Sequence, residues 1–367
     1  MKEIDSSTYI IIVLAPFVHT NNENLDYYYD FSQSKLEYQK VFANLQLDWF
    51  WVDVQLHNYQ EVIENALIKA KQINKQPIFL NLCDGDEQNN TPGVSVIHYL
   101  QQHQLIYTGA SAYFYDITTS KALMKKAFEE HGVSTPKWLH IQKIEDVRFI
   151  NQNKMQYPII LKPSVSGGSI GVSVKNVVYN SEQCEAQILE MFKGYNGWNL
   201  NIDGIIAEEF IIGDEFTVFI IGNYNNLSTA KIYTPVQRVF HPSLPEKEKF
   251  LSFDRLWEIY ENETAMPNND NFYEYATAPN HLITSLQKIS WDAFAACKGI
   301  GYTRADIRQN SLTGELYVLE VNAQCGISED ENYTSIGAIL KASNTSFTSA
   351  VEHILKLGLQ QYKENSI

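Results

Sequence analysis

Residues 301–326 read GYTRADIRQNSLTGELYVLEVNAQCG, and their polarity pattern decides how the rest of the chain is understood. Two strand-like runs flank a turn at Thr313-Gly314. Arg304 and Asp306 lie two apart, so they share one face of the first strand, and Glu320 and Asn322 repeat that spacing on the second. A hairpin that sets Asp306 beside Glu320 and Asn322 gathers three oxygen ligands and one guanidinium on a single surface. Oxygen-only ligation with so few carboxylates suits Mg²⁺ completed by phosphate oxygens. The alternative is a half-buried strand pair with an ordinary ion pair between Arg304 and a neighbouring acid. This stretch alone weighs the two equally.

The chain of 367 residues has room for roughly two or three domains, with cores large enough to need no staples. Its 44% hydrophobic and 19% charged residues describe an ordinary globular protein. A net charge of −15 argues against a nucleic-acid surface, which needs clustered Lys and Arg, but leaves room for a small anion pocket. Cys83, Cys184, Cys297 and Cys325 show no metal-type spacing, so reduced thiols in a cytoplasmic protein are expected. Cys325 is read as structural or substrate-lining rather than nucleophilic. The apolar run YIIIVLA at 9–15 is too short to span a membrane and follows acidic residues, so it is expected to be a buried first strand. No membrane partner is expected.

The first hundred residues alternate strand patterns at 9–15, 49–54 and 77–82 with helix patterns near 35–45, 59–73 and 92–103. That alternation marks a parallel sheet covered by helices. Asn81-Leu82-Cys83-Asp84-Gly85 is then a strand's carboxyl end entering a polar loop, the usual ligand-binding place of an open α/β sheet. A second unit starts near Tyr107-Thr108-Gly109, and Thr119-Ser120 caps a helix over 121–131 that Gly132 ends. Strands at 157–162 and 172–174 flank a loop at 163–171, and a helix covers 181–192. Strands follow at 204–210, 215–221 and 227–234. The stretch 235–279 is polar and aromatic with little periodicity, as expected of a lid or binding loop. Helices resume at 282–297, 335–342 and 348–361.

The loop after Lys162 reads PSVSGGSIG. Gly167, Gly168 and Gly171 let the backbone fold closely over a ligand, and Ser164, Ser166 and Ser169 add hydroxyl donors, which suits a phosphate cover. No Gly-Lys-Ser/Thr follows, so it is not a Walker loop, and alone it is better read as a flexible β-turn. Lys121 opens a helix where the N-terminus and an ammonium group jointly attract an anion, although most such lysines are merely solvated. The run 206–211, IAEEFI, leads into Gly213-Asp214-Glu215. Its edge offers backbone groups to a flat heterocycle and Glu215 to ribose hydroxyls; an ordinary strand with an acidic turn is the alternative.

Each element is ambiguous, but their order is specific: Lys121, Lys162 with its loop, EEFIIGDEFTV, RAD, then LEVN before Gly326. Together with YTGASAYFYDITTSKALMKKAFEEHGVSTPKW at 107–138, this order resembles the ATP-grasp superfamily, and most closely the D-alanine–D-alanine ligase family, from about residue 77 to the end. The resemblance implies an α/β fold, α+β in its C-terminal part. It would comprise an N-terminal parallel-sheet domain (1–110), a central ATP-grasp subdomain with the glycine-rich loop (111–198) and a catalytic subdomain (199–367) with a lid near 235–279.

By that resemblance Lys121 and Lys162 contact the α- and β-phosphates of ATP, and the loop with Gly167, Gly168 and Ser169 closes over them. Glu208 meets the adenine amino group, the backbone of Phe210 and Ile211 completes adenine recognition, and Glu215 holds the ribose. Asp306, Glu320 and Asn322 match ligands of two Mg²⁺ ions, with Mn²⁺ as a substitute and Glu320 bridging. Arg304 and the Gly326 N–H match the groups that stabilise an oxyanion, and Arg255 in FLSFDRLWE stands where the family has a lid lysine. The implied chemistry is attack of a carboxylate on the γ-phosphate, followed by displacement of phosphate from the acylphosphate by an amine. Homodimers are common in the family.

The departures fall where amino acids are recognised. The first strand ends Ala15-Pro16-Phe17 without the family's Gly-Gly loop and Ser-x-Glu, and the later His-Gly appears as Asp84-Gly85. Gly168 replaces a serine, and Asn-Thr-x-Pro-Gly-Met-Thr appears as Asn322-Ala323-Gln324-Cys325-Gly326-Ile327-Ser328, followed by Glu329-Asp330-Glu331. The expectation is therefore a ligase of small carboxylate and amine substrates other than two D-alanines. A divergent D-alanine–D-alanine ligase of cell-wall synthesis is the alternative enzyme. An ATP-binding pseudo-enzyme or scaffold is the alternative of another class.

Overall fold

The computed structural model describes residues 4–18, 30–87, 90–194, 198–258, 263–331 and 334–365; residues 259–262 of the expected lid lie outside them. Strand β1 (Tyr9–Pro16) carries four consecutive apolar residues, Ile11 to Leu14, that are wholly buried. Such a run needs cover on both faces, which a parallel sheet with helical connections supplies. Each of these side chains contributes roughly 1.5–3 kcal/mol by leaving water. β1 pairs in parallel with β2 (Trp49–Val54) and β3 (Gln76–Asn81), and β3 with β4 (Ile106–Tyr107), in the order β2-β1-β3-β4. Helices Ser32–Leu45, Tyr59–Gln72 and Val94–Gln102 make the connections, as the alternating pattern requires.

The middle of the chain forms a four-stranded antiparallel sheet, in the order β5 (Trp138–Ile141), β8 (Ile205–Glu209), β6 (Ile159–Pro163), β7 (Val177–Val178). The strand expected at 172–174 is absent. A 3₁₀ turn covers Val174–Asn176 instead, because the buried Asn176 amide donates to the carbonyls of Leu161 (2.8 Å) and Gly171 (2.9 Å) where a strand ladder would have run.

The third sheet is the largest. It runs β12 (Tyr273–Thr277), β11 (Val236–Phe240), β9 (Glu215–Asn223), β13 (Ile300–Gln309), β14 (Leu316–Ala323), and β10 (Lys231–Ile232) adds to β9. Only that two-residue strand forms within 227–234. The aperiodic stretch 235–279 is also not one long loop, since its two ends are the paired strands β11 and β12. Their alternation was masked by Arg238, a buried cation at a position where apolar periodicity would have put a hydrophobe.

One face of this sheet, with Phe216, Val218, Ile220, Ala305 and Ile307, packs on helices Ala112–Thr119, Lys121–Glu130 and Asn280–Ala296. Helix Ala112–Thr119 has no counterpart in the sequence reading; Ser111 caps it, accepting from Phe114 N–H at 3.3 Å. The other face is apolar at one end, where Phe219, Ile221 and Tyr302 meet helices Ser335–Ala342 and Phe347–Asn365 and the core of the N-terminal sheet. At its other end that same face turns polar, at Arg304, Asp306, Arg308, Thr217 and Glu215. The alternation that buries one end thus presents charge at the other. Among the described residues no helix is long and apolar enough to cross a membrane.

Candidate active site

β13 and β14 pair so that Asp306 stands directly opposite Glu320 and Arg304 opposite Asn322. The register breaks between Asp306 and Ile307, a bulge of the kind that re-aims side chains beside a site. The ion pair of the alternative reading is present, and it lies on the same surface as the expected oxygen ligands. Arg304 donates to Asp306 from Nε (3.1 Å) and Nη2 (2.9 Å), an ion pair, and Asn322 Nδ2 lies 3.1 Å from Asp306 Oδ2 and 3.5 Å from Glu320 Oε1. Burial resists ionisation of Asp306, but the guanidiniums of Arg304 and Arg238 outweigh it and hold the carboxyl below its usual range.

Two carboxylates, each within 3.5 Å of one amide, fit a hard oxygen-seeking cation such as Mg²⁺, with Asn322 turned to present its oxygen. Among the described residues no group of three or more His, Cys, Asp or Glu forms a self-sufficient metal cage. The donor set suits an ion whose coordination a substrate's phosphates complete.

Lys121 begins its helix under an N-cap by Ser120, which accepts from Leu123 N–H at 3.3 Å. Its ammonium donates to Ser166 C=O at 2.9 Å and lies 3.9 Å from Glu320 Oε2, between the glycine-rich loop and β14. Lys162, from β6, donates to Glu208 Oε1 at 2.9 Å. Glu208 is buried on β8, where burial resists its ionisation but Lys125 and Lys162 outweigh that and lower its pKa. The loop turns through left-handed backbone at Gly168 and Ser169. Trp257, in the stretch expected to form a lid, donates its indole N–H to Gly168 C=O at 2.9 Å, and Phe253 N–H reaches Val172 C=O at 2.8 Å, so this stretch is hydrogen-bonded to the glycine-rich loop and to the residue that follows it.

Glu215 is buried and both of its oxygens accept from guanidiniums, one from Arg238 and the other from Arg308 at 2.9 Å. Arg308 also donates to Ile211 C=O at 3.1 Å and stacks 5.0 Å from the Phe210 ring, tying together the segment expected to receive adenine. Arg255 is turned into the lid, paired with Glu248 (2.8 Å) and Glu263 (3.5 Å). Gly326 is exposed, and a Cβ built on it would meet nothing within 4 Å, which leaves its edge of the backbone open to a reactant.

The N-terminal domain reaches the same place. The buried Gln324 accepts from Ala110 N–H (3.1 Å) and donates to Cys83 C=O (2.7 Å), holding the residue before Asp84 against the segment before Gly326. Gly109 is needed for this contact, since a Cβ there would lie 2.1 Å from Gln324 Oε1. Glu37, buried on the first helix, accepts from Ser328 Oγ (2.7 Å) and Glu329 N–H (3.1 Å). Asp84 is exposed at the cleft, yet the protein around it desolvates its carboxyl and raises it to about 7; water on its open side works against that rise. Beyond it a cleft of about 210 Å³ is lined by Gly85, Asp86, Tyr115, Asp116, Ser120 and Val165. Burial pushes the Cys325 thiol up to about 12, an inert state.

Sequence reasoning missed Lys125, Arg238, Arg308, Glu37 and Gln324 as parts of the site. Arg308 continues the two-residue spacing of Arg304 and Asp306, and Lys125 follows Lys121 at helical spacing, so both carried a periodic signal. Glu37 and Gln324 carried none, because their partners are remote in sequence.

The family described as "D-ala D-ala ligase C-terminus" matches residues 127–356, well over half of the chain. A D-alanine–D-alanine ligase A of Bacillus cereus is 22% identical over 313 residues, 85% of this chain and 88% of that one. The crystal structure of a D-alanine–D-alanine ligase from Bacillus anthracis covers 98% of this chain and 100% of its own at a TM-score of 0.68 and 19% identity. The same organism's enzyme complexed with ATP covers 98% and 99% at a TM-score of 0.64 and 20% identity. The fold is therefore ATP-grasp with an N-terminal parallel sheet, and the chain belongs to the D-alanine–D-alanine ligase family, whose members are ATP-dependent ligases forming C–N bonds.

Proposed function

We propose that this protein joins a small carboxylate to an amine with ATP, through an acylphosphate, and that the pair is not two D-alanines. The observation that supports the reaction most is the register placing Arg304 opposite Asn322 and Asp306 opposite Glu320, with Lys121 3.9 Å from Glu320. In this reading Lys121 and Lys162 draw negative charge from the ATP phosphates, the main catalytic contribution to phosphoryl transfer. Asp306, Glu320 and Asn322 would hold Mg²⁺, which supplies further neutralisation of the phosphates. The Trp257–Gly168 and Phe253–Val172 contacts close lid over loop and keep water from the acylphosphate. Arg304 and the Gly326 N–H then stabilise charge on the carbonyl oxygen as the amine adds. No protein nucleophile is needed.

The substrate assignment rests on different residues. Asp84 stands at the carboxyl end of β3, where the resembling family has a histidine, and it is clamped to the altered segment Ala323–Ser328 through Gln324. An anion there favours an amine-bearing substrate. The reduced, buried cysteines fit a cytoplasmic setting. The test incubates the protein with ATP, Mg²⁺ and either D-alanine or a panel of amino-acid and amine pairs, with phosphate release and product mass as readouts. Robust dialanine formation would overturn the substrate assignment. Phosphate release absent from every pair would overturn the reaction itself.

A further inference from the structure

Lys125 is a buried cation for which the reaction above has no use. It sits one helical turn beyond Lys121 and is 1% exposed. Its ammonium donates to Thr135 Oγ1 at 2.8 Å and pairs with one oxygen of Glu208, whose other oxygen accepts from Lys162 at 2.9 Å. Thr135 in turn donates to Val318 C=O at 2.9 Å. A chain of polar contacts thus runs from β14, which carries Glu320, to β6, which carries Lys162. Burial makes the charged form of Lys125 costly and lowers its pKa, and Glu208 supplies the compensating charge.

The charge count explains the arrangement. One lysine would neutralise Glu208; two leave one positive charge over. Lys162 is the partner nearer water, with 16% of its side chain exposed against 1% for Lys125, so the surplus charge faces the cleft. We propose that Lys125 is a positioning residue of the nucleotide site: it neutralises Glu208 from below, which leaves Lys162 free to give its charge to the polyphosphate of ATP. This rests on the ATP-dependent reading above. Without Lys125, Lys162 serves as the counter-ion of Glu208 and its attraction for phosphate is spent inside the protein.

The test measures affinities of the full chain for MgATP and, by competition, for adenosine. Their ratio isolates the polyphosphate and cancels whatever Glu208 contributes to adenine. Lys125→Met should lower the ratio about tenfold, and adding Glu208→Gln to it should restore the ratio to within about threefold of wild type. Glu208→Gln alone should raise it, which decides the matter if Lys125→Met fails to fold. A lysine that merely packs would weaken both ligands alike, and the double variant would recover nothing. An unchanged ratio in Lys125→Met, or no rise in Glu208→Gln, overturns this proposal alone. A wild-type chain that binds no ATP overturns it together with the functional reading.

Discussion

Replacing Glu215 by leucine tests whether the polar end of the largest sheet is held up by a charge row. Arg238, Glu215 and Arg308 are direct partners on β11, β9 and β13. Their side chains are 2%, 6% and 3% exposed, so water cannot stand in for a missing partner. In Glu215→Leu two guanidiniums are left buried, like-charged and without their shared acceptor. Removing one partner of a buried ion pair typically costs about 3–5 kcal/mol. At roughly 2–4 °C per kcal/mol in larger domains, the thermal midpoint should fall on the order of 10 °C. The assay is thermal unfolding by circular dichroism without nucleotide, where ribose binding cannot contribute. The triple replacement Glu215→Leu, Arg238→Met, Arg308→Leu should recover much of the loss, because an apolar row of similar volume needs no counter-charge. A midpoint for Glu215→Leu within about 2 °C of wild type would refute the strut argument and return Glu215 to a purely ribose-facing role. The two roles are compatible, since an ionised carboxylate has about four acceptor sites and the arginines engage only some of them.

Glu320→Ala should abolish turnover at any Mg²⁺ concentration while leaving the fold intact; retained phosphate release across a Mg²⁺ titration would remove Glu320 from the metal set. Asp84 has a raised folded pKa, so its ionised form grows in as pH climbs through about 7. Apparent affinity for the amine substrate should therefore rise between pH 6 and 8 in wild type and lose that component in Asp84→Asn, while ATP affinity stays level in both. Stability runs the opposite way: the unfolded carboxyl ionises near 4, so this group's contribution is present at low pH and declines up to about 7. Trp257→Phe removes one hydrogen bond between lid and loop, worth about 1 kcal/mol, and should speed ADP release roughly fivefold in a stopped-flow chase. An unchanged release rate would mean the latch is not what limits opening.

The pairing of the 301–326 hairpin was legible because a strand has a period of two. Arg304 and Asp306, then Glu320 and Asn322, reveal their shared face by spacing alone, and the turn at Thr313-Gly314 makes the two runs neighbours; the bulge after Asp306, which spacing does not show, is what sets Asp306 opposite Glu320. The parallel N-terminal sheet was legible for a related reason, its first strand being buried on both sides. What was illegible depends on partners far away in the chain. Val236–Phe240 looked like loop because Arg238 breaks its apolar pattern, and Arg238 is tolerable only beside Glu215 and the rings of Tyr273 and Tyr275. Lys125 drew no notice because its counter-ion, Glu208, lies on β8, far away in the chain. The residue types alone did not separate Glu208 from Glu209, and only the family resemblance singled Glu208 out; its burial between Lys125 and Lys162 is the physical difference between them. A buried charge contradicts local pattern wherever its compensation is tertiary. In this fold the contradictions fall on two sheets and share one form: Glu215 on β9 and Glu208 on β8 are each a buried acid met by two cations from other elements.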